Sequence, residues 1–412
     1  MRLAYRFLIS SVMLLTLAAL ASLIAALPFL PGTLTGLPFN HLHELALALR
    51  DLVVIGGLLG SGIYVTLPPT PQPNSRLLDT ASVLWPLLIS LTLIWGILGL
   101  LATVNPLLGI LQAMVIALVV ADVIGKTRVW TPIPFIWTVG MSISAIALLI
   151  SVLPISDFTL AATMTTLARG VRLYIGEALA AVALIYGLMR RFSSAPAQWA
   201  ASSLYTVAGM LALAGTLVIL GSLGLLANGI ALIAPLLYLI FAAHTYAAFS
   251  KRNETATLAA HWAALGVLLL VLGIGVLGAA LAITQVWTSG TQLSALLPIT
   301  AQYAITAVIL GVVNQSFAEM RGQPRRVTGL APFWLIAFGM VGSGFALTGV
   351  GLVQVYLERI LGINHAEAQM LLAPLYSLWI VGLATLLLGV VVYATIVWIR
   401  RPRFGKPAVS MI

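Results

Sequence analysis

Apolar residues in this chain form long uninterrupted runs, each about as long as a helix that crosses a membrane. The apolar core of a bilayer is about 30 Å thick, so a helix of about 20 apolar residues spans it. The runs predict helices at 5–29, 44–67, 80–103, 106–125, 132–153, 171–190, 199–220, 227–249, 256–284, 293–316, 331–356 and 367–399. The pattern therefore predicts an all-α polytopic membrane protein of about 12 transmembrane helices, in which residues 1–412 form a single transmembrane helical domain.

The composition agrees with this pattern and excludes several functional classes. Hydrophobic residues make up 61% of the chain and charged residues only 7%, whereas about 25% of an average globular chain is charged. A soluble enzyme and a disordered chain are therefore excluded. The chain contains no cysteine, so disulfides, thiolate catalysis, iron–sulfur clusters and zinc–thiolate sites are excluded as well.

The basic residues are distributed unevenly along the predicted helices. With the N-terminus in the cytoplasm, sixteen of the 20 lysines and arginines fall on the cytoplasmic side. The other four are Arg50, Arg169, Arg172 and Arg359. Because short cytoplasmic loops carry an excess of positive charge, we predict that both termini are cytoplasmic. The basic excess then reports topology and contact with anionic lipid in the bilayer, and it does not indicate nucleic-acid binding.

Polar residues at membrane depth are the first candidates for function, because burying charge in lipid is costly. Such residues occur near the predicted outer ends of the second, sixth and tenth helices. The predicted intramembrane cluster consists of Glu44, Arg50, Asp51, Tyr174, Glu177 and Gln302. Two interpretations stay open. Either Arg50, Asp51 and Glu177 form an ion-pair network that fixes helix packing, or the cluster lines a polar cavity.

Four histidines are candidates for cofactor binding. His41 and His43 open the second helix at its outer end. His244 and His261 lie on the eighth and ninth helices, which a short charged turn should make an antiparallel hairpin with both imidazoles at similar depth. A neutral imidazole can ligate haem iron or bind a quinone, although such residues more often hydrogen-bond to carbonyls or lipid. No metal site and no catalytic residue are identified, so enzymatic activity stays an open question.

A regular spacing suggests an internal repeat. His43, Tyr174 and Gln302 are predicted at similar outer depths, and they are separated by 131 and 128 residues. Steps of four helices would build the chain from three similar four-helix arcs.

With these features the chain resembles subunit I of the haem-copper oxidases, and it is nearest to the cbb3-type and nitric-oxide-reductase branch. In that family the second helix begins with a haem-ligating histidine at its outer end and ends near a proline. Here the segment His41-Leu42-His43 opens the helix and Leu67-Pro68 closes it.

The other metal ligands of that family have no counterpart in this chain. The family carries a copper-ligating histidine on the sixth helix, where this chain has Arg172-Leu173-Tyr174-Ile175-Gly176-Glu177. Its tenth helix carries a His-x-His pair, where this chain has Thr300-Ala301-Gln302. The paired copper histidines after the seventh helix are also missing, since the segment 217–234 contains no histidine.

The resemblance therefore implies a divergent relative without the oxygen-reducing centre. Such a protein would be a subunit of a respiratory or electron-transfer complex, would contact other membrane subunits, and would hold at most a single b-type haem or a quinone. Short loops and the lack of cysteine favour a prokaryotic cytoplasmic membrane. Two alternatives stay open: a secondary transporter or flippase with a polar cavity around Arg50, Asp51 and Glu177, and a purely structural membrane subunit.

Overall fold

The structure is a computed structural model that describes residues 2–29, 39–67, 75–127, 129–192, 201–226, 229–249, 257–321 and 328–401. Nearly all of these residues are helical, and the described ranges contain no β-strand. The predicted all-α fold class is therefore confirmed.

The helices are numbered α1 to α12 in chain order. Their bounds are Arg2–Ala26 (α1), Phe39–Thr66 (α2), Arg76–Ile97 (α3), Leu101–Lys126 (α4), Pro132–Ser151 (α5), 158–192 (α6), Ala201–Ser222 (α7), Ile233–Phe249 (α8), 257–283 (α9), Gln292–Met320 (α10), Leu330–Ile360 (α11) and Ala373–Ile399 (α12). Two short helices precede α10 and α12, at Gln285–Thr288 and His365–Leu371.

Eleven of these helices are long and apolar enough to cross a membrane. The eighth, α8, is shorter: it has 17 residues and follows the 3-10 turn Ile230–Leu232. The chain is therefore an integral membrane protein with helices in a lipid bilayer. The assignment of both termini to the cytoplasm stays a prediction from the charges. We call the end of the molecule at which α2, α4, α6 and α10 begin the predicted outer end.

Helix α6 differs most from its predicted bounds. It begins at Phe158 rather than near residue 171, because the Asp157 side chain caps it by accepting a hydrogen bond from the Leu160 backbone N–H at 2.9 Å. The added segment is rich in threonine and largely exposed, so it gives no strong apolar signal in the sequence.

Helix packing follows the order of the chain. Each helix contacts its neighbours in sequence, and α12 returns to contact α1, so the helices form a closed ring. Helices α2, α6 and α10 also contact one another inside this ring. Other contacts recur at four-helix steps: α2 meets α5, α6 meets α9, and Tyr5 of α1 packs on Phe317 of α10 with ring centroids 5.2 Å apart. The predicted division into three four-helix arcs stays a prediction.

Small residues let α5 and α6 approach closely where the polar cluster lies. A Cβ atom on Gly140 of α5 would lie 2.5 Å from the Gly176 carbonyl oxygen of α6. A Cβ atom on Gly176 would in turn lie 2.4 Å from the Ser144 hydroxyl oxygen. Only glycine permits this contact, which fixes α6 against α5 beside Glu177.

Candidate functional site

The three central helices meet at one partly buried carboxylate. Arg172 of α6 donates a hydrogen bond from Nη2 to Asp51 Oδ1 of α2 at 2.7 Å. Gln302 of α10 donates from Nε2 to the same oxygen at 2.8 Å. Arg172 is 7% exposed and Gln302 6% exposed. A single oxygen atom of Asp51 therefore joins α2, α6 and α10 at the centre of the ring.

Arg172 also approaches a second carboxylate on its own helix. Its Nε atom lies 3.3 Å from Glu177 Oε1, and Glu177 is only 1% exposed. Neither atom has a hydrogen-bond partner in the described structure, so this is a charge contact without hydrogen-bond geometry.

The local form of α6 makes this ion pair possible. The helix changes from α to π over Val171–Glu177. In an α-helix, residues five apart point about 140° away from each other. A π-helix has i→i+5 hydrogen bonds, so residues five apart share a face, and such bulges occur frequently at functional sites. The π segment therefore brings Arg172 and Glu177 together.

Arg50 does not take part in this ion pair. Its Nη2 atom donates to Ser22 Oγ of α1 at 2.7 Å, and its guanidinium lies 5.7 Å from the centre of the Tyr303 ring. Arg50 therefore links α2 to α1 and α10. The buried network that the sequence predicted from Arg50, Asp51 and Glu177 has Arg172 as its cation instead.

A polar cavity of about 320 Å³ lies beside the Asp51–Arg172 pair, between α2, α4, α5 and α6. Its polar and charged lining residues include Glu44, Asp51, Asn105, Gln112, Arg169 and Arg172. Small-molecule sites begin at about 300 Å³. Glu44 is seven residues before Asp51, which is about 10 Å along a helix towards the predicted outer end. The cavity thus connects this end of α2 with the buried ion pair.

A second cavity of about 280 Å³ lies between α6, α7, α9 and α10. Tyr174 and Arg169 are among its lining residues. Glu177 and Gln302 line neither of these cavities. Apart from Arg50, the residues of the predicted cluster are therefore distributed over an ion-pair network and two cavities that share Arg169 in their linings.

The two histidines at the start of α2 lie away from the network. Both His41 and His43 are exposed, and the His41 ring lies against the turn between α3 and α4, where a Cβ on Gly99 would be 2.6 Å from its Nδ1. His43 precedes Asp51 by eight residues, or about 12 Å along the helix. Gln302 therefore lies at the depth of Asp51 and not at the depth of His43, whereas the regular spacing predicted a common depth for His43 and Gln302.

The other two histidines contact different helices. His244 Nδ1 lies 2.9 Å from the Tyr186 hydroxyl of α6. The His261 ring packs on Phe333 of α11 with centroids 5.6 Å apart. Whether the two imidazoles share a ligand stays a prediction.

The described cavities do not fit a haem. An axial imidazole has to face the space that holds the porphyrin. Three cavities lined by described residues have no histidine in their linings. Within the same residues, no group of three or more His, Asp and Glu side chains is placed to hold a metal ion.

Two lining residues of the larger cavity were missed by the sequence reasoning. Asn105 and Gln112 are seven residues apart on α4, so they lie on one face of a largely apolar helix whose two charged residues, Asp122 and Lys126, pair with each other at its far end. Glu44 and Asp51 on α2 have the same spacing, so the sequence alone could have indicated that Asn105 and Gln112 form a second polar face.

Neither a scan against protein-family models nor a search of curated protein sequences finds a match to this chain.

Proposed function

We propose that this chain is a haem-copper-oxidase-like membrane subunit without the oxygen-reducing centre, which acts within a respiratory or electron-transfer complex. The observation that supports this proposal best is the closed ring with α2, α6 and α10 at its centre. The resemblance places metal-ligating histidines on the helices at these positions, so the central helices of this chain correspond to the ligand-bearing helices of that family.

The ion-pair network supports a role without the metal centre. Arg172 and Gln302 occupy the segments of α6 and α10 where the resemblance would place ligands, and both bond to Asp51. A buried pair of this kind holds three helices together, because removal of one partner leaves an unpaired charge in a medium of low polarity. The network can therefore take over the structural part of a cofactor's role.

No redox step is assigned to the chain, since the described cavities do not fit a haem. The proposed contribution is structural: the ring presents lipid-facing and subunit-facing helices to the other membrane subunits of the complex. A quinone near His244 or His261 belongs to this proposal as an optional ligand, and Tyr186 beside His244 adds a second hydrogen-bonding group there.

Extraction of the protein from its native membrane in mild detergent tests the proposal. We expect redox subunits to co-purify with the chain. The chain purified alone should show no haem band in a reduced-minus-oxidised spectrum. A lone, well-folded monomer from native membranes would contradict the subunit role. A Soret band that disappears in His43→Ala or in the His244→Ala/His261→Ala variant would contradict the proposal that the chain binds no haem.

A secondary transporter or flippase is the second candidate, and the cavity beside Asp51 favours it. Against it, contacts recur every four helices, whereas many transporters consist of two related halves. Residues 301–313 of α10 are all buried, so this helix is packed on all sides from the level of Gln302 towards the predicted cytoplasmic end. Solute uptake into proteoliposomes that Asp51→Asn abolishes would favour the transporter over the subunit.

A further inference from the structure

We infer that the cavity between α2, α4, α5 and α6 binds a small zwitterion, a molecule that carries one ammonium group and one carboxylate or phosphate. A free α-amino acid and an ethanolamine phospholipid headgroup share this chemistry. The inference concerns binding alone, so it is independent of whether the chain belongs to a redox complex.

The cavity has polar groups at two levels. The deeper level consists of Asp51 on α2, Gln112 on α4 and Arg172 on α6, and the level nearer the predicted outer end consists of Glu44, Asn105 and Arg169 on the same helices. Each level thus combines a carboxylate, an amide and a guanidinium. The two levels follow from helix geometry, since three or seven residues separate the paired positions and residues at these spacings share a face.

The deeper level contains a buried amide with no hydrogen-bond partner in the described ranges. Gln112 is 8% exposed and lines the cavity, yet its amide makes no hydrogen bond within the described part of the chain. Buried amides are nearly always hydrogen-bonded. The Asp51 side chain is 27% exposed although it bonds to Arg172. An amide donor and a partly open carboxylate are therefore available to a ligand at the base of the cavity.

The outer level contains charges of both signs that have no ion-pair partner among the described residues. Glu44 and Arg169 line walls formed by α2 and α6, both are exposed, and neither forms an ion pair with another described residue. A carboxylate attracts an ammonium group, and a guanidinium binds a carboxylate or phosphate through paired N–H groups. The two walls therefore favour opposite ends of one ligand.

The charge balance selects a zwitterion over an ion of one sign. The charged lining residues are two acids, Glu44 and Asp51, and two bases, Arg169 and Arg172. Asp51 and Arg172 already pair with each other, and Arg172 also contacts Glu177 outside the lining, so Glu44 and Arg169 remain for a ligand. A ligand with a single charge would engage only one of these two walls. A zwitterion neutralises both walls at once. The volume of about 320 Å³ suits an amino acid or a headgroup.

Titration calorimetry on the detergent-purified, full-length protein tests the inference. The probes are a panel of free α-amino acids, the matching amino acid amides, which lack the carboxylate, and the matching carboxylic acids, which lack the ammonium. We expect binding of at least one zwitterion and much weaker binding of both single-charge analogues. Loss of one charge-assisted contact should weaken binding by about tenfold or more, so Glu44→Gln and Arg169→Gln should each show this loss.

The matched control is Arg359→Gln, which removes an exposed arginine that donates to the Ser289 carbonyl and does not line the cavity. It should bind like the wild type. Gln112→Leu tests the deeper level, and its fold is checked by its thermal unfolding curve. Binding that is unchanged in Glu44→Gln and Arg169→Gln would overturn the inference, and so would equal binding of the single-charge analogues.

An experiment with defined lipids distinguishes a phospholipid headgroup from a free amino acid as the ligand. The protein is reconstituted in nanodiscs of phosphatidylethanolamine or of phosphatidylglycerol, and retained lipid is measured by native mass spectrometry. Selective retention of phosphatidylethanolamine that is lost in Glu44→Gln identifies a headgroup, whereas amino acid binding without lipid selectivity identifies a free solute. If wild-type protein binds no free zwitterion and retains both lipids equally, the inference is wrong.

Discussion

Removal of the Arg172 guanidinium is the perturbation for which the structure predicts the largest loss of stability. The Arg172→Met variant keeps an unbranched side chain that ends two atoms short of the guanidinium Nη atoms, and it removes the charge. Asp51 then loses its ion-pair partner, and Glu177 loses the only cation within 4 Å among the described residues. Two carboxylates would remain next to each other without compensation at the junction of α2, α6 and α10.

The expected magnitude follows from the burial of this pair. Arg172 is 7% exposed and Glu177 1% exposed, so water does not replace the lost contacts. Removal of one partner of a buried pair costs about 3–5 kcal/mol. Since 1.4 kcal/mol corresponds to a factor of ten, the folding equilibrium should fall by a factor of about a hundred to a few thousand.

Unfolding of the micelle-bound protein by sodium dodecyl sulfate, followed by the fluorescence of its ten tryptophans, measures this loss. The double variant Arg172→Met/Glu177→Gln should regain part of the stability, because one uncompensated carboxylate is removed with the cation. Arg359→Met removes an exposed arginine, and surface contacts of this kind contribute only about 0–1 kcal/mol. Equal unfolding midpoints for Arg172→Met and Arg359→Met would refute the reasoning.

Two further predictions use the same unfolding assay. Gly140→Val should destabilise the protein by about 1–3 kcal/mol or more, because its Cβ would lie 2.5 Å from the Gly176 carbonyl oxygen. The control Gly125→Ala, whose Cβ would have no atom within 4 Å, should be neutral or stabilising. If Gly125→Ala destabilised the protein more than Gly140→Val, the α5–α6 contact would be contradicted. Tyr393→Phe should cost about 1 kcal/mol, because Asn314 Nδ2 donates to the Tyr393 hydroxyl at 2.9 Å and that hydroxyl donates to a carbonyl of α10; an unchanged midpoint would show that this buried network does not contribute.

Much of the fold could be predicted from the sequence, because a membrane-spanning helix needs a long apolar run and nothing else explains such runs. The prediction was less accurate where a helix extends beyond its apolar run. Helix α6 shows this, since its first turns from Phe158 are rich in threonine and are capped by Asp157. A cap requires one side chain, and it leaves little trace in a hydrophobicity pattern.

The candidate site was only partly predictable for a different reason. The costs of burying Asp51, Glu177 and Gln302 in lipid mark them as unusual in the sequence. Which side chains meet depends on the π segment of α6, which turns Arg172 towards Glu177. The close contact between α5 and α6 accompanies that segment, and no local residue pattern indicates it.

The central position of α2 and α10 underlies both the fold and the proposed function, and a disulfide cross-link tests that position directly. The chain has no cysteine, so an introduced pair reacts without background. A Cβ atom on Gly57 of α2 would lie 2.7 Å from Cγ2 and 2.9 Å from Cγ1 of Ile309 on α10. Both of these carbons are bonded to the Ile309 Cβ, so the two Cβ atoms are close enough for a disulfide, in which they lie about 3.5–4.5 Å apart. We expect Gly57→Cys/Ile309→Cys to cross-link under mild oxidation, whereas Gly57→Cys with the exposed Leu378→Cys of α12 does not. Thiols that react only after denaturation would show that the double variant is folded. If such folded protein formed no cross-link, the central contact between α2 and α10 would be contradicted.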